Sequence, residues 1–258
     1  VSAAGSRGSL RTAPGRPVAA VAGLVTVLTY NTWAAWRPLN GHATLLDGYL
    51  SELGALDQPH DLFFRGGDLL SGLLVVVVGL HARSRWRARR AGTTSRWEAL
   101  AWAGLLLFAV ATVLDAFCAL DCSPTLETAC RVAEEQGRVS WRHAAHTWTS
   151  VGAQVGITTS LVAGWLGLVR RPGARHEPPT RRRVALGLAV VEVVALLVLV
   201  VMDGLGVPGL GYPQAVTVVA ASLWCAVVGL GGLDAPPSSD RREATREPAD
   251  ALAGRVPR

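Results

Sequence analysis

Charge is scarce in this chain of 258 residues: Asp, Glu, Lys and Arg together make up 17%, while half of the residues are apolar. A soluble helical protein of this length spreads charge along one face of every helix. Here the charges gather between apolar runs, which excludes an ordinary soluble domain. Lysine is absent, so all 25 basic residues are arginine, and there is one methionine. Alanine, glycine, valine and leucine dominate, a bias expected of a GC-rich bacterial genome. No segment carries the paired, closely spaced cysteines of a structural zinc site. No internal repeat supports the inverted-repeat architecture of many transporters, and few prolines break the runs. No motif shows a fixed catalytic order.

What the chain does have is six apolar runs, at about 17–36, 67–82, 97–118, 147–169, 184–203 and 214–233. Most approach or exceed the ~18–20 residues that carry a helix across a bilayer. The expectation is an all-α, six-helix transmembrane bundle, multi-pass in the cell membrane. The segments would be a cytoplasmic N-terminal piece at 1–16, a six-span domain at 17–233, and a disordered cytoplasmic tail at 234–258 rich in Pro, Ser and mixed charge.

Orientation follows from the arginines. Twenty lie before the first run, between runs two and three, between runs four and five, and in the tail, while five (Arg37, Arg65, Arg131, Arg138 and Arg142) lie on the other side. The positive-inside rule then places both termini in the cytoplasm. Basic stretches such as Arg83 to Arg90 are read as topogenic and as contacts for anionic lipid, not as a nucleic-acid patch. A competing reading treats the first run, with Ala34-Ala35 at its end, as a cleaved signal peptide, which leaves five spans.

The two longer loops on the exterior side look structured. In the first, at 37–66, Leu45, Leu46, Tyr49, Leu50, Leu53 and Leu56 recur at spacings of three and four, which predicts a short amphipathic helix on the bundle or in the interface. The second, at 119–146, holds Cys122 and Cys130 on the side where oxidation is possible, so a disulfide is expected, with Cys118 as a rival partner. His143 and His146 stand at i and i+3 and face one point. As a bare pair they are weak metal candidates, and a hydrogen-bonded cap is the blander reading.

Polar residues inside the runs need partners. His143, Thr147, Ser150, Gln154 and Thr158 trace one face of run four, either as interhelical glue or as the wall of a wet cavity. Glu192 sits deep in run five among valines, where an unpaired charge costs at least ~2.5 kcal/mol. It is expected to bond to Gln154 or Thr158, or to serve in proton coupling. Asp68, Asp115 and Asp203 lie at one level with His143 and His146, near the exterior boundary. They form the candidate polar site, read either as interhelical salt bridges or as a headgroup-binding or catalytic mouth.

Two blocks carry a family resemblance. Gly48-Tyr49-Leu50-Ser51-Glu52-Leu53-Gly54-Ala55, then Pro59-His60 and Phe64-Arg65-Gly66-Gly67-Asp68-Leu69-Leu70-Ser71-Gly72, resemble bacterial multi-span membrane proteins of the domain-of-unknown-function 998 family. Asp115, Asp121-Cys122-Ser123-Pro124, Cys130, Ser140, His143 and His146 resemble the second outer loop of its actinobacterial-type members. The resemblance implies the six-span fold and brings no activity. Three functions stay open: binding or sensing of a lipid or small amphiphile at the outer mouth, an intramembrane and metal-assisted hydrolase, and a small proton-coupled transporter. The bilayer, and through it a specific lipid, is the expected partner.

Overall fold

A computed structural model describes residues 15–40, 47–89, 96–170 and 179–234. The described residues form helices and no strands. In chain order these are α1 (Arg16–Thr29), α2 (Trp36–Asn40), α3 (Asp61–Arg89), α4 (Arg96–Phe117), α5 (Thr128–Glu135), α6 (Trp141–Arg170), α7 (Pro179–Gly204) and α8 (Gly211–Gly229). Short 3-10 helices lie at Thr32–Ala35 and Leu50–Gly54.

Six segments are long and apolar enough to span a membrane, the first running from Arg16 to Asn40 through α1, the 3-10 turn and α2. The protein is a multi-pass membrane protein. Its first span breaks at Tyr30 and Asn31, where the Asn31 amide bonds to the Val27 carbonyl at 2.8 Å and to Ser222 Oγ at 3.0 Å. Several helices overrun their apolar runs into arginine-rich flanks. There the long side chains can keep their charge in water while their stems cover apolar surface.

Neighbour contacts close the spans into a ring in the order α1, α3, α4, α6, α7, α8, with α3 also meeting α8 across the middle. Glycine lets the backbones touch. A Cβ on Gly156 of α6 would lie 2.5 Å from Phe108 N and 2.8 Å from Gly104 O of α4, and one on Gly23 of α1 would lie 2.7 Å from Cys225 O of α8. Since lipid tails are as apolar as the side chains, such close packing supplies much of the association free energy. One half of the ring is a solid core around Phe108, Leu105, Leu161 and Trp224. Trp224 Nε1 donates to Ser160 Oγ at 2.8 Å there, satisfying an indole that is fully buried. Val190, Val194, Leu197 and Val201 of α7 are exposed and form a lipid-facing flank.

The loops at 47–60 and 118–140 share one side of the bundle, here termed the loop side. The expected amphipathic helix in the first of them is not what forms. Leu45 and Leu46 lie outside the described residues, and the rest is a single 3-10 turn with Leu50, Glu52 and Leu53 buried. Tertiary bonds override the helical spacing: Leu50 N–H donates to Gln214 Oε1 at 2.5 Å, and Leu56 N–H to the Leu120 carbonyl at 2.9 Å. Of the expected tail only Asp234 is described, its carbonyl held by Arg181 at 3.1 Å.

Candidate functional site

Under the loops, the loop-side half of the ring is hollow. An inner chamber of about 100 Å³ is lined by Tyr30, Asp68, Thr112, Asp115 and Gln214 among others, and a cleft of about 730 Å³ lies between α6, α7 and the loops. Ser51, Ser150, Gln154 and Gln214 belong to both linings, so the two spaces adjoin. The cleft is lined by apolar side chains that include Leu120, Val151, Leu199 and Leu210, and by polar ones that include Glu52, Arg131, Glu134, His146 and Asp203.

The second loop is fastened before it reaches the cleft. Cys122 and Cys130 are joined by a disulfide, and Cys118 is free and buried. Ser140 caps α6, its Oγ accepting from His143 N–H at 3.3 Å. Asp121 in turn accepts from Ser140 N–H at 2.6 Å and from its hydroxyl at 2.7 Å. Burial alone would raise the Asp121 pKa, but these two bonds, with His143 and Arg142 behind them, hold it below its ordinary value.

The two histidines part company here. His143 is fully buried, its Nδ1 accepts from Asp121 N–H at 3.0 Å, and its Nε2 faces Glu134 Oε1 at 3.7 Å. It fastens the loop and does not enter the chamber. His146 points into the cleft. Its Nδ1 lies 2.9 Å from the Cys118 carbonyl and 3.3 Å from Asp115 Oδ1, and its Nε2 lies 3.4 Å from Ser150 Oγ. Among the described residues no group of three or more His, Cys, Asp and Glu side chains is arranged to hold a metal ion.

The acids also divide. Asp68 and Asp115 both face the chamber. Asp115 accepts from the Thr149 hydroxyl and from Ser150 Oγ, the latter at 3.1 Å. Asp68 makes no hydrogen bond among the described residues, and Arg65, the nearest arginine in sequence, pairs instead with Asp61 at 2.6 Å. Asp203 is across the cleft and bonds to Tyr49, whose pKa is held well above its ordinary value by burial first and by that bond second. Below them Glu192 is fully buried, accepting from Gln154 Nε2 at 2.5 Å and from Thr158 Oγ1 at 3.4 Å. Its other oxygen has no partner among the described residues.

Residues 13–231 match the family described as Protein of unknown function (DUF998). The chain belongs to the DUF998 family. No curated protein and no solved structure matches it.

One DUF998 side chain in the cleft escaped the reading of polar residues by depth. Glu52 lies outside the apolar runs, yet it is 1% exposed, with Oε1 accepting from Thr125 Oγ1 at 2.7 Å and from Thr125 N–H at 3.3 Å. Burial pushes its pKa up to about 7 in spite of these bonds. A Cβ on Gly48 would collide with Thr125 Oγ1 and sit 2.8 Å from Glu52 Oε2, so glycine at 48 is what lets the two loops meet. The available signal was the block Gly48 to Glu52 within the family resemblance.

Proposed function

We propose that this protein binds a lipid or small amphiphile in the loop-side cleft, at the outer leaflet of the cell membrane. The observation that carries the reading is the cleft itself. At about 730 Å³ it falls within the range of small-molecule sites, and its lining combines apolar and polar side chains. Val151, half exposed on α6, lines the cleft, so on this reading an acyl chain enters past it while the headgroup meets the polar groups. The acids Asp47, Glu134 and Asp203 outnumber Arg131, which favours a neutral or cationic headgroup over a phosphate.

The test is mass spectrometry of amphiphiles retained by the purified protein and by Val151→Trp, which fills the cleft from its lipid side. The variant should lose a species that the wild type retains. Identical retention, with Gly187→Ala on the lipid-facing helix as reference, would remove the cleft from consideration. A second reading, proton-coupled transport, draws on Gln154, which lines both cavities and donates to Glu192. It requires pH-dependent flux in proteoliposomes that Glu192→Gln abolishes.

A further inference from the structure

We infer that Ser150, His146 and Asp115 form an acyl-transfer site that hydrolyses a carboxylic ester of the amphiphile held in the cleft. The inference rests on the binding reading above and adds chemistry to it.

The tautomer of His146 comes first. Its Nδ1 faces two acceptors, the Cys118 carbonyl at 2.9 Å and Asp115 Oδ1 at 3.3 Å. A carbonyl oxygen cannot donate, so the proton of the neutral ring sits on Nδ1 and Nε2 is left with its lone pair. Ser150 Oγ lies 3.4 Å from Nε2, because residues one helical turn apart share a face. A base beside the serine, its other nitrogen held by the Cys118 carbonyl, is a relation that activates a hydroxyl for attack; Asp115 lies on the serine's own side, 3.1 Å from Ser150 Oγ. Bonds of this kind are often long before substrate arrives.

The hydroxyl is held by side chains and not by its own helix. Polar hydroxyls elsewhere in the bundle, at Thr26, Ser71 and Thr112, bond back to the carbonyl one turn earlier. Ser150 makes no such bond; its hydroxyl donates to Asp115 Oδ1 at 3.1 Å and has only to turn about its Cβ–Oγ bond to donate to His146 Nε2, 3.4 Å away. Thr149, the preceding residue, spends its own hydroxyl on Asp115 and on the backbone, which holds the carboxylate in place. Ser150 lines both spaces, so an acyl carbonyl reaches it from the cleft and water from the chamber. Gln214 lines both as well. Its Oε1 is held by Leu50 N–H at 2.5 Å, which leaves its amide N–H groups as the donors for an oxyanion.

In the first step Ser150 Oγ bonds to the ester carbonyl carbon, its proton passes to His146 Nε2, and the carbonyl π pair moves to oxygen. Collapse breaks the ester C–O bond, and the leaving alcohol takes the proton from Nε2. Water then attacks the acyl-serine with His146 again as base, releasing the acid and restoring Ser150.

An alkyl fluorophosphonate probes this directly, since it phosphonylates a serine only when an adjacent base activates it. The native protein in detergent micelles should label at Ser150, located by peptide mapping, and heat-unfolded protein should not; this comparison needs no variant. Ser150→Ala should abolish labelling, and His146→Gln should slow it by roughly a hundredfold or more. Val151→Trp should slow it too, by closing the entry. An unlabelled Ser150, or labelling as fast in His146→Gln as in wild type, overturns the acyl-transfer site. If amphiphile retention sensitive to Val151→Trp persists in that case, the binding reading survives alone. Loss of both removes the cleft as a site of either kind.

Discussion

Replacing Gly156 by alanine tests how the site is held. The added Cβ would stand 2.5 Å from Phe108 N and 2.9 Å from its Cα, whereas ordinary contacts begin near 3.4 Å. Both atoms are backbone, so no side chain can turn aside, and α4 and α6 must separate by several tenths of an ångström. Overpacking of this sort costs about 1–3 kcal/mol, against which alanine recovers up to about 1 kcal/mol of helix propensity. The net expectation is a loss of about 1–2 kcal/mol. Gly187→Ala provides the internal comparison, because nothing lies within 4 Å of its added Cβ and only the propensity gain remains. Thermal unfolding of the two variants in one mild detergent reads the difference. Gly156→Ala should unfold earlier than wild type, and Gly187→Ala at the same temperature or later. Equal behaviour of the two would refute the close-contact account of the α4–α6 seam. Because α4 carries Asp115 and α6 carries His146 and Ser150, fluorophosphonate labelling should also slow in Gly156→Ala.

Three further outcomes are expected. Glu52 has a folded pKa of about 7 against an ordinary 4.5, so its favourable contribution is complete below about pH 4.5 and is lost as pH rises to 7. Glu52→Gln should therefore gain on wild type across that window, by no more than about 3 kcal/mol. A flat difference in unfolding temperature between pH 4.5 and 7 would contradict the buried position of the carboxyl. Glu192→Leu strips Gln154 of its 2.5 Å acceptor and should destabilise by about 1–3 kcal/mol, while Glu192→Gln, which keeps an acceptor, should cost less. Denaturation that ranks the two equally would mean the pair is not coupled. In a background without native cysteines, Asp57→Cys in the exposed first loop should react with an impermeant maleimide in intact cells, and Arg87→Cys only after lysis. The reverse pattern would invert the topology.

Six spans and an all-helical bundle were readable from residue order because a bilayer leaves little choice. Backbone polar groups must be satisfied inside each segment, so length and hydropathy nearly dictate helices. Helical periodicity likewise sufficed to bring Thr147, Ser150 and Gln154 of α6 to the cleft, though not His143, and for Glu192 meeting Gln154 and Thr158, since only two helices had to be neighbours. Across a ring of six helices and two folded loops that reasoning fails. His143 and His146 are equivalent by spacing, yet one is closed under the loop by Asp121 and the other opens on the cleft. Asp68 and Asp115 share a chamber, but Asp203 is drawn across the cleft to Tyr49. Glu52, in a stretch whose spacing pointed to a surface helix, is buried against Thr125. Each of these outcomes depends on which faces meet when glycine seams bring the helices together, and on a loop fastened by a disulfide and an Asp121–Ser140 clamp. Such contacts join residues far apart in the chain, and local periodicity carries no information about them.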